Sequence, residues 1–151
     1  CMAELLLRET FDSFLFIEGS VTTFNKFTID GYIHSDFYEE DAPAEPYSAW
    51  KSLREFVFSI IKGKRTPLDF HFVFSLSSDT VRTLIAENEL DFQPESVQGL
   101  YLNFRYAGST LTCVTGTSLK VFTLDKSLDH AFDKWVEKFF TEHGIEYDVA
   151  L

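Results

Sequence analysis

The stretch "LDFHFVFSL", Leu68–Leu76, alternates along its length: Phe70, Phe72, Phe74 and Leu76 point one way, Asp69, His71 and Ser75 the other. A period of two is that of a β-strand with one side against a core. The same criteria, β-branched and aromatic runs closed off by turn residues, predict further strands over residues 11–18, 21–34, 98–106 and 110–122. The spacing of three and four predicts helices instead. In the last of them Leu128, Phe132, Trp135, Val136, Phe139 and Phe140 share a face and Gly144 is the stop. A second runs from Ser48, its candidate N-cap, to Lys62, with Trp50, Leu53, Val57, Ile60 and Ile61 inward and Phe56 and Phe58 widening that face. A third starts at Ser78 or Asp79 and continues through Val81, Leu84 and Ile85 to Asn88, and residues 2–9 read as the tail of a fourth.

Ala107-Gly108 suits a two-residue hairpin between "LYLNFRY" and "STLTCV", and Asp30-Gly31 or Gly19-Ser20 could turn the chain earlier. Gly19-Ser20 is the preferred place for a bend or bulge within a longer ribbon. Neighbouring strands are therefore expected to be antiparallel. Strand pairs interleaved with helices, with a short last strand at 145–149, predict a single α+β domain over residues 1–151 rather than a doubly wound parallel sheet. The two halves also suggest a weak ββαβ pseudo-repeat. The segment "YEEDAPAEPYS", residues 38–48, reads as a surface loop within the domain.

A chain of 151 residues with 45% hydrophobic content can bury a core without disulfides, and Cys1 and Cys113 make no framework; free thiols in a reducing, cytoplasmic setting are expected. The chain opens Cys1-Met2, which suggests a trimmed form of something longer. No window approaches the roughly 20 apolar residues of a membrane helix, so no membrane partner is expected. A formal charge of -11 disfavours non-specific binding to nucleic acid. The charge is uneven, since Lys51, Arg54, Lys62, Lys64 and Arg65 gather within residues 50–66 against Glu55 alone.

That gathering has two readings. Structurally, Gly63 closes a helix, Lys62 and Lys64 sit where the helix dipole is negative, and Pro67 blocks continuation. Functionally, the cations left over converge on a phosphate or carboxylate. "GKRT" is not a phosphate-binding P-loop, because here the order is helix, loop, strand, and the wrong dipole end would face the ligand. An anion site at Lys62, Lys64 and Arg65, with Lys51 and Arg54 beside it, makes the chain a non-enzymatic binding module. The alternative is a small enzyme acting on an anionic ligand through Asp69 and His71, which share a strand face. A third reading is an architectural homodimer, because "SFLFIEG" at residues 13–19 is apolar on both sides and something must cover each.

"HSDFYEED" gathers His34, Asp36 and Glu39, yet its spacing fits no metal-ligand signature, and neither metal nor cofactor is expected. Cys113, among β-branched neighbours in an apparent strand, reads as a buried, inert thiol.

At "TTFNKFTIDGYIH" and "IKGKRTPLDF" the sequence resembles an uncharacterised family of small bacterial proteins, a domain of unknown function, over most of its length. The resemblance implies a bacterial, cytoplasmic protein. It implies no activity, cofactor or site residue.

Overall fold

The computed structural model describes residues 2–61 and 65–149. Its elements are helix α1 (Met2–Leu6), strands β1 (Leu15–Thr22) and β2 (Lys26–Asp30), helix α2 (Trp50–Ile61), strand β3 (Asp69–Ser75), helix α3 (Ser78–Glu87), strands β4 (Val97–Ala107) and β5 (Thr110–Leu119), and helix α4 (Ser127–Glu142). The strands form one sheet in the order β2-β1-β3-β4-β5, and every neighbouring pair is antiparallel. This is the expected α+β class. Among the described residues the second half ends in a helix with no strand after it, so a full ββαβ unit occurs once there, and residues 145–149 are not a strand. No described helix is long and apolar enough to cross a membrane.

The stretch at Leu68–Leu76 is the middle strand of the sheet. Phe70, Phe72 and Phe74 are buried, and they meet Val21 of β1 and Leu100, Leu102 and Phe104 of β4 in one core. That core is closed by Leu5, Trp50, Val57, Leu128, Phe132, Val136 and Phe140 from three helices. A buried phenylalanine side chain contributes roughly 1.5–3 kcal/mol, so the alternation of β3 is among the largest single contributions to the fold. The Trp50 indole N–H, carried inward with its ring, donates to the Leu5 carbonyl at 2.8 Å and ties α2 to α1.

Local signals misplace several ends. Gly19-Ser20 neither bends nor bulges: β1 runs through it, and the register shift lies between Phe16 and Glu18. Gly19 serves packing instead, since a Cβ there would meet the His71 carbonyl oxygen at 2.7 Å and the Phe72 ring at 2.8 Å. The first hairpin turns at residues 23–25, and the second at Gly108-Ser109, one residue later than expected, with φ of 57° and 68° as a type I′ turn requires. Ser48 does not cap α2, because its N–H donates to Gly31 and its carbonyl accepts from Phe16; the helix starts at Trp50. Phe56 is 71% exposed, outside the core face expected for it. The cap of α3 is Ser77, whose hydroxyl accepts from the Thr80 N–H at 3.3 Å. Helix α4 stops as expected, with Gly144 at φ 69° after it.

The two-sided burial of "SFLFIEG" is met within the chain. Phe14 and Phe16 join the aromatic core, while on the other side Leu15 is buried and lines, with Ile17, a hollow that Glu45 and Tyr47 of the acidic loop also wall. The helices pack on one face of the sheet; on the other, Leu15, Val73 and Ser75 are buried, while Thr28, Arg105, Thr112 and Val114 are exposed, and that part is the open face.

Candidate functional site

On the open face the strand registers set side chains in rows. One row runs Thr28, Ser20, His71, Arg105, Thr112 from β2 to β5. The next row toward the chain segment that enters β3 runs Lys26, Thr22, Asp69, Ala107, Thr110, and the row on the other side runs Asp30, Glu18, Val73, Asn103, Val114. Residues directly opposite each other in an antiparallel pair hold their Cβ atoms about 5 Å apart, so His71 and Arg105 are side-chain neighbours. Arg105 is exposed and His71 half-buried, and among the described residues neither is in an ion pair. The first two rows carry Lys26 and Arg105 against Asp69, with His71 beside them, a net positive end on a chain of net charge -11. Glu18 and Asp30 lie together in the third row.

The residues expected to hold an anion are not all in one place. Lys62 and Lys64 lie outside the described residues, as does Gly63. Arg65 is exposed in the segment leading to Leu68, whose N–H donates to the Thr22 carbonyl at 2.9 Å, so Arg65 belongs to the cationic end of the sheet. Lys51 is exposed in the first turn of α2, and a helix of that length holds it roughly 15 Å from the last turn. Arg54 is committed elsewhere. Its Nε donates to Asp12 Oδ1 at 2.9 Å and its terminal NH2 to Oδ2 at 3.3 Å, with both side chains largely buried. The hydrogen bond that Arg54 donates to Asp12 raises the Arg54 pKa above its already high ordinary value.

Asp69 and His71 share the open face as expected, but among the described residues no hydrogen bond joins them, and their cross-strand neighbours are Thr22 and Ala107 for Asp69, Ser20 and Arg105 for His71. His34 lies 3.6 Å from Asp30 rather than converging with Asp36 and Glu39. Among the described residues no three His, Cys, Asp or Glu side chains gather as metal ligands would. Cys113 is unbridged, and burial pushes its thiol up to about 12, which suits an inert thiol.

At the far end of β3 a hollow of about 250 Å³ opens between the acidic loop, the start of α3 and the start of β4, with Glu45, Tyr47, Arg82, Glu95, Tyr101 and Lys120 on its walls. Neither Asp69 nor His71 lines it. Burial, and then the nearness of Tyr47, raises the Tyr101 pKa. The two acids and two cations on these walls give the hollow no net sign. Arg82 is moreover bonded to Asp79 at 3.1 Å, and the Glu45 carboxylate accepts from the Ser78 N–H at 3.3 Å at the start of α3.

Sequence reading missed Arg105 and Ser20 as neighbours of His71. The alternation in "LYLNFRY" could have set Arg105 on the polar side of its strand, because Leu102 and Phe104 are apolar. Only the register, fixed by hairpin geometry and by the buried faces of two strands, makes it the residue opposite His71.

Compared with curated proteins and with solved structures, the chain has no match. Residues 4–148 match a family described as a family of unknown function, DUF5721, and with nearly the whole chain covered the protein belongs to that family.

Proposed function

We propose that the protein is a non-enzymatic binding module that holds an anionic group on the open face of its sheet. The observation that carries this reading is the β3–β4 register, which sets Arg105 directly opposite His71 on the uncovered face. The guanidinium offers a planar fork of donors to phosphate or carboxylate, and Ser20 and Thr112 flank the His71–Arg105 pair in the same row, Ser20 beside His71 and Thr112 beside Arg105. Arg65 stands at the same end of the sheet and adds a cation at the rim. Asp69 is the one acidic side chain of the two rows, and it lies in the row next to that of Arg105 rather than opposite it. The acidity of the rest of the molecule confines attraction to this end, because a local field acts within a Debye length of roughly 10 Å.

The test is a two-dimensional NMR titration with inorganic phosphate at constant ionic strength. Saturable shifts of the His71 ring and the Arg105 amide, lost in Arg105→Ala and weakened in Arg65→Ala, are expected. Linear drifts alike in wild type and Arg105→Ala would remove the reading.

A further inference from the structure

The two edges of the sheet differ in kind. Edge strand β2 has five residues, begins at Lys26 and ends at Asp30, and the acidic loop returns beside its end through the Tyr32–Tyr47 bridge. Short length, end charges and a covering loop are the usual means of closing an edge. Edge strand β5 is neither short nor charged, and the segment 145–148 comes near it only at the hollow it shares with Leu111, Thr112 and Cys113. The ten residues of β5, "TLTCVTGTSL", contain no charge and no proline, and no further strand lies beside it among the described residues.

The hairpin sets which groups of β5 face outward. Ala107 and Thr110 flank the two-residue turn and pair, so Thr110, Thr112, Val114 and Gly116 turn their backbone groups to β4. Leu111, Cys113, Thr115 and Thr117 direct theirs away from the sheet. The side chains of these four lie on the helix face, where the Thr115 hydroxyl donates to Asp133 Oδ1 of α4 at 2.6 Å. Glu137, one turn further on, is on the same side of that helix. Both acids are exposed, and among the described residues neither carboxylate is in an ion pair. On the open face the same strand presents Val114, 61% exposed.

We infer that β5 is a docking edge for an extended peptide of alternating basic and apolar residues, which adds to the sheet as a sixth strand. Main-chain hydrogen bonds to Leu111, Cys113, Thr115 and Thr117 hold it. Peptide residues opposite Cys113 and Thr115 point to the helix face, where lysine or arginine meets Asp133 and Glu137. Those between them point to the open face and cover Val114 with apolar side chains. Charge selects this occupant over a second copy of the chain. Each copy carries -11, and pairing two β5 strands about a two-fold axis near Thr115, the register that overlaps them most evenly, would bring the Asp133 of each against that of the other across the seam.

The test uses the whole protein and a short synthetic peptide alternating lysine and valine, with binding read by fluorescence anisotropy. Saturable binding that weakens with salt is expected, together with slowed hydrogen exchange at the Cys113, Thr115 and Thr117 amides. Glutamate in place of lysine, or N-methylation of the peptide residues whose N–H would face β5, is expected to cost at least about tenfold in affinity, and Asp133→Asn a smaller factor. Absence of saturable binding would overturn the proposal, and so would equal affinity of the N-methylated peptide. Protection of the same amides in the protein alone, with the mass rising from 17.4 kDa to twice that on concentration, would assign the edge to a second copy instead.

Discussion

Arg54 on α2 and Asp12, 42 residues earlier, are joined by two hydrogen bonds of 2.9 and 3.3 Å, so the turn before β1 is clamped to the helix that covers it. Only 16% and 12% of the two side chains remains exposed, which leaves little water to replace either partner. Asp12→Ala strands a guanidinium there and should lower stability by about 2 kcal/mol, or roughly 4–8 °C in Tm. The double variant Asp12→Asn, Arg54→Met should recover part of this loss, because neither charge is then left alone. Thermal unfolding by circular dichroism decides it, and a double variant as unstable as the single one would show that the clamp acts through packing.

Two glycines should respond in opposite measure to alanine. At Gly31 a Cβ would collide with the Phe16 carbonyl oxygen, a backbone atom that cannot step aside. Gly31→Ala should cost more than about 4 kcal/mol or abolish soluble expression. Gly108 has open space around it and φ of 57°, so Gly108→Ala meets only the left-handed penalty of about 1–2 kcal/mol. Urea midpoints would order the two, and a milder effect at Gly31 would contradict the close approach of the chain there.

Cys113 should resist modification while folded. With Cys1→Ser removing the other thiol, Cys113 is expected to react slowly with a disulfide reagent near pH 8 and fast in denaturant. Because burial holds the folded thiol at about 12, an unfolded chain releases this proton near its ordinary value of 9 while the folded chain keeps it. The folded state then binds more protons, so this group makes stability fall as pH rises from about 9 toward 12 and has no effect below. Urea midpoints at pH 8 and pH 10 test the sign.

The start of α4 rests on Asp125 rather than on a residue of the helix. Its carboxylate accepts from the Ser127 backbone N–H at 2.9 Å, and that bond lowers its pKa. Stability from this group is present above the ordinary carboxylate value and is lost as pH falls through the lowered one. Asp125→Ala should destabilise the protein at neutral pH and flatten its acid unfolding at the low end. Equal acid profiles for the two proteins would refute the link.

Much of the fold was legible because its signals are local. The helix face from Leu128 to Phe140, the left-handed stop at Gly144 and the alternation of Phe70, Phe72 and Phe74 depend on residues within a few positions of each other. The errors fell where a residue answers to a distant one. Gly19 reads as a turn but makes room for β3, Ser48 reads as a cap but bridges Phe16 and Gly31, and Arg54 reads as a free cation but is held by Asp12. The candidate site shows the same division. Asp69 and His71 on one strand face follow from a spacing of two, whereas the pairing of His71 with Arg105 follows from a register between strands more than 20 positions apart in sequence.

By itself the sequence determined an α+β class, the buried sides of β3, α3 and α4 and the confinement of positive charge to a few places on an acidic chain, since periodicity and composition are properties of neighbouring residues. The tertiary structure alone decided the strand order, which cations are already paired, which glycines serve packing rather than turning, and that one edge strand is guarded while the other lies open. These depend on which segments meet, and that is set by the summed burial of all faces at once, which no single stretch of chain encodes.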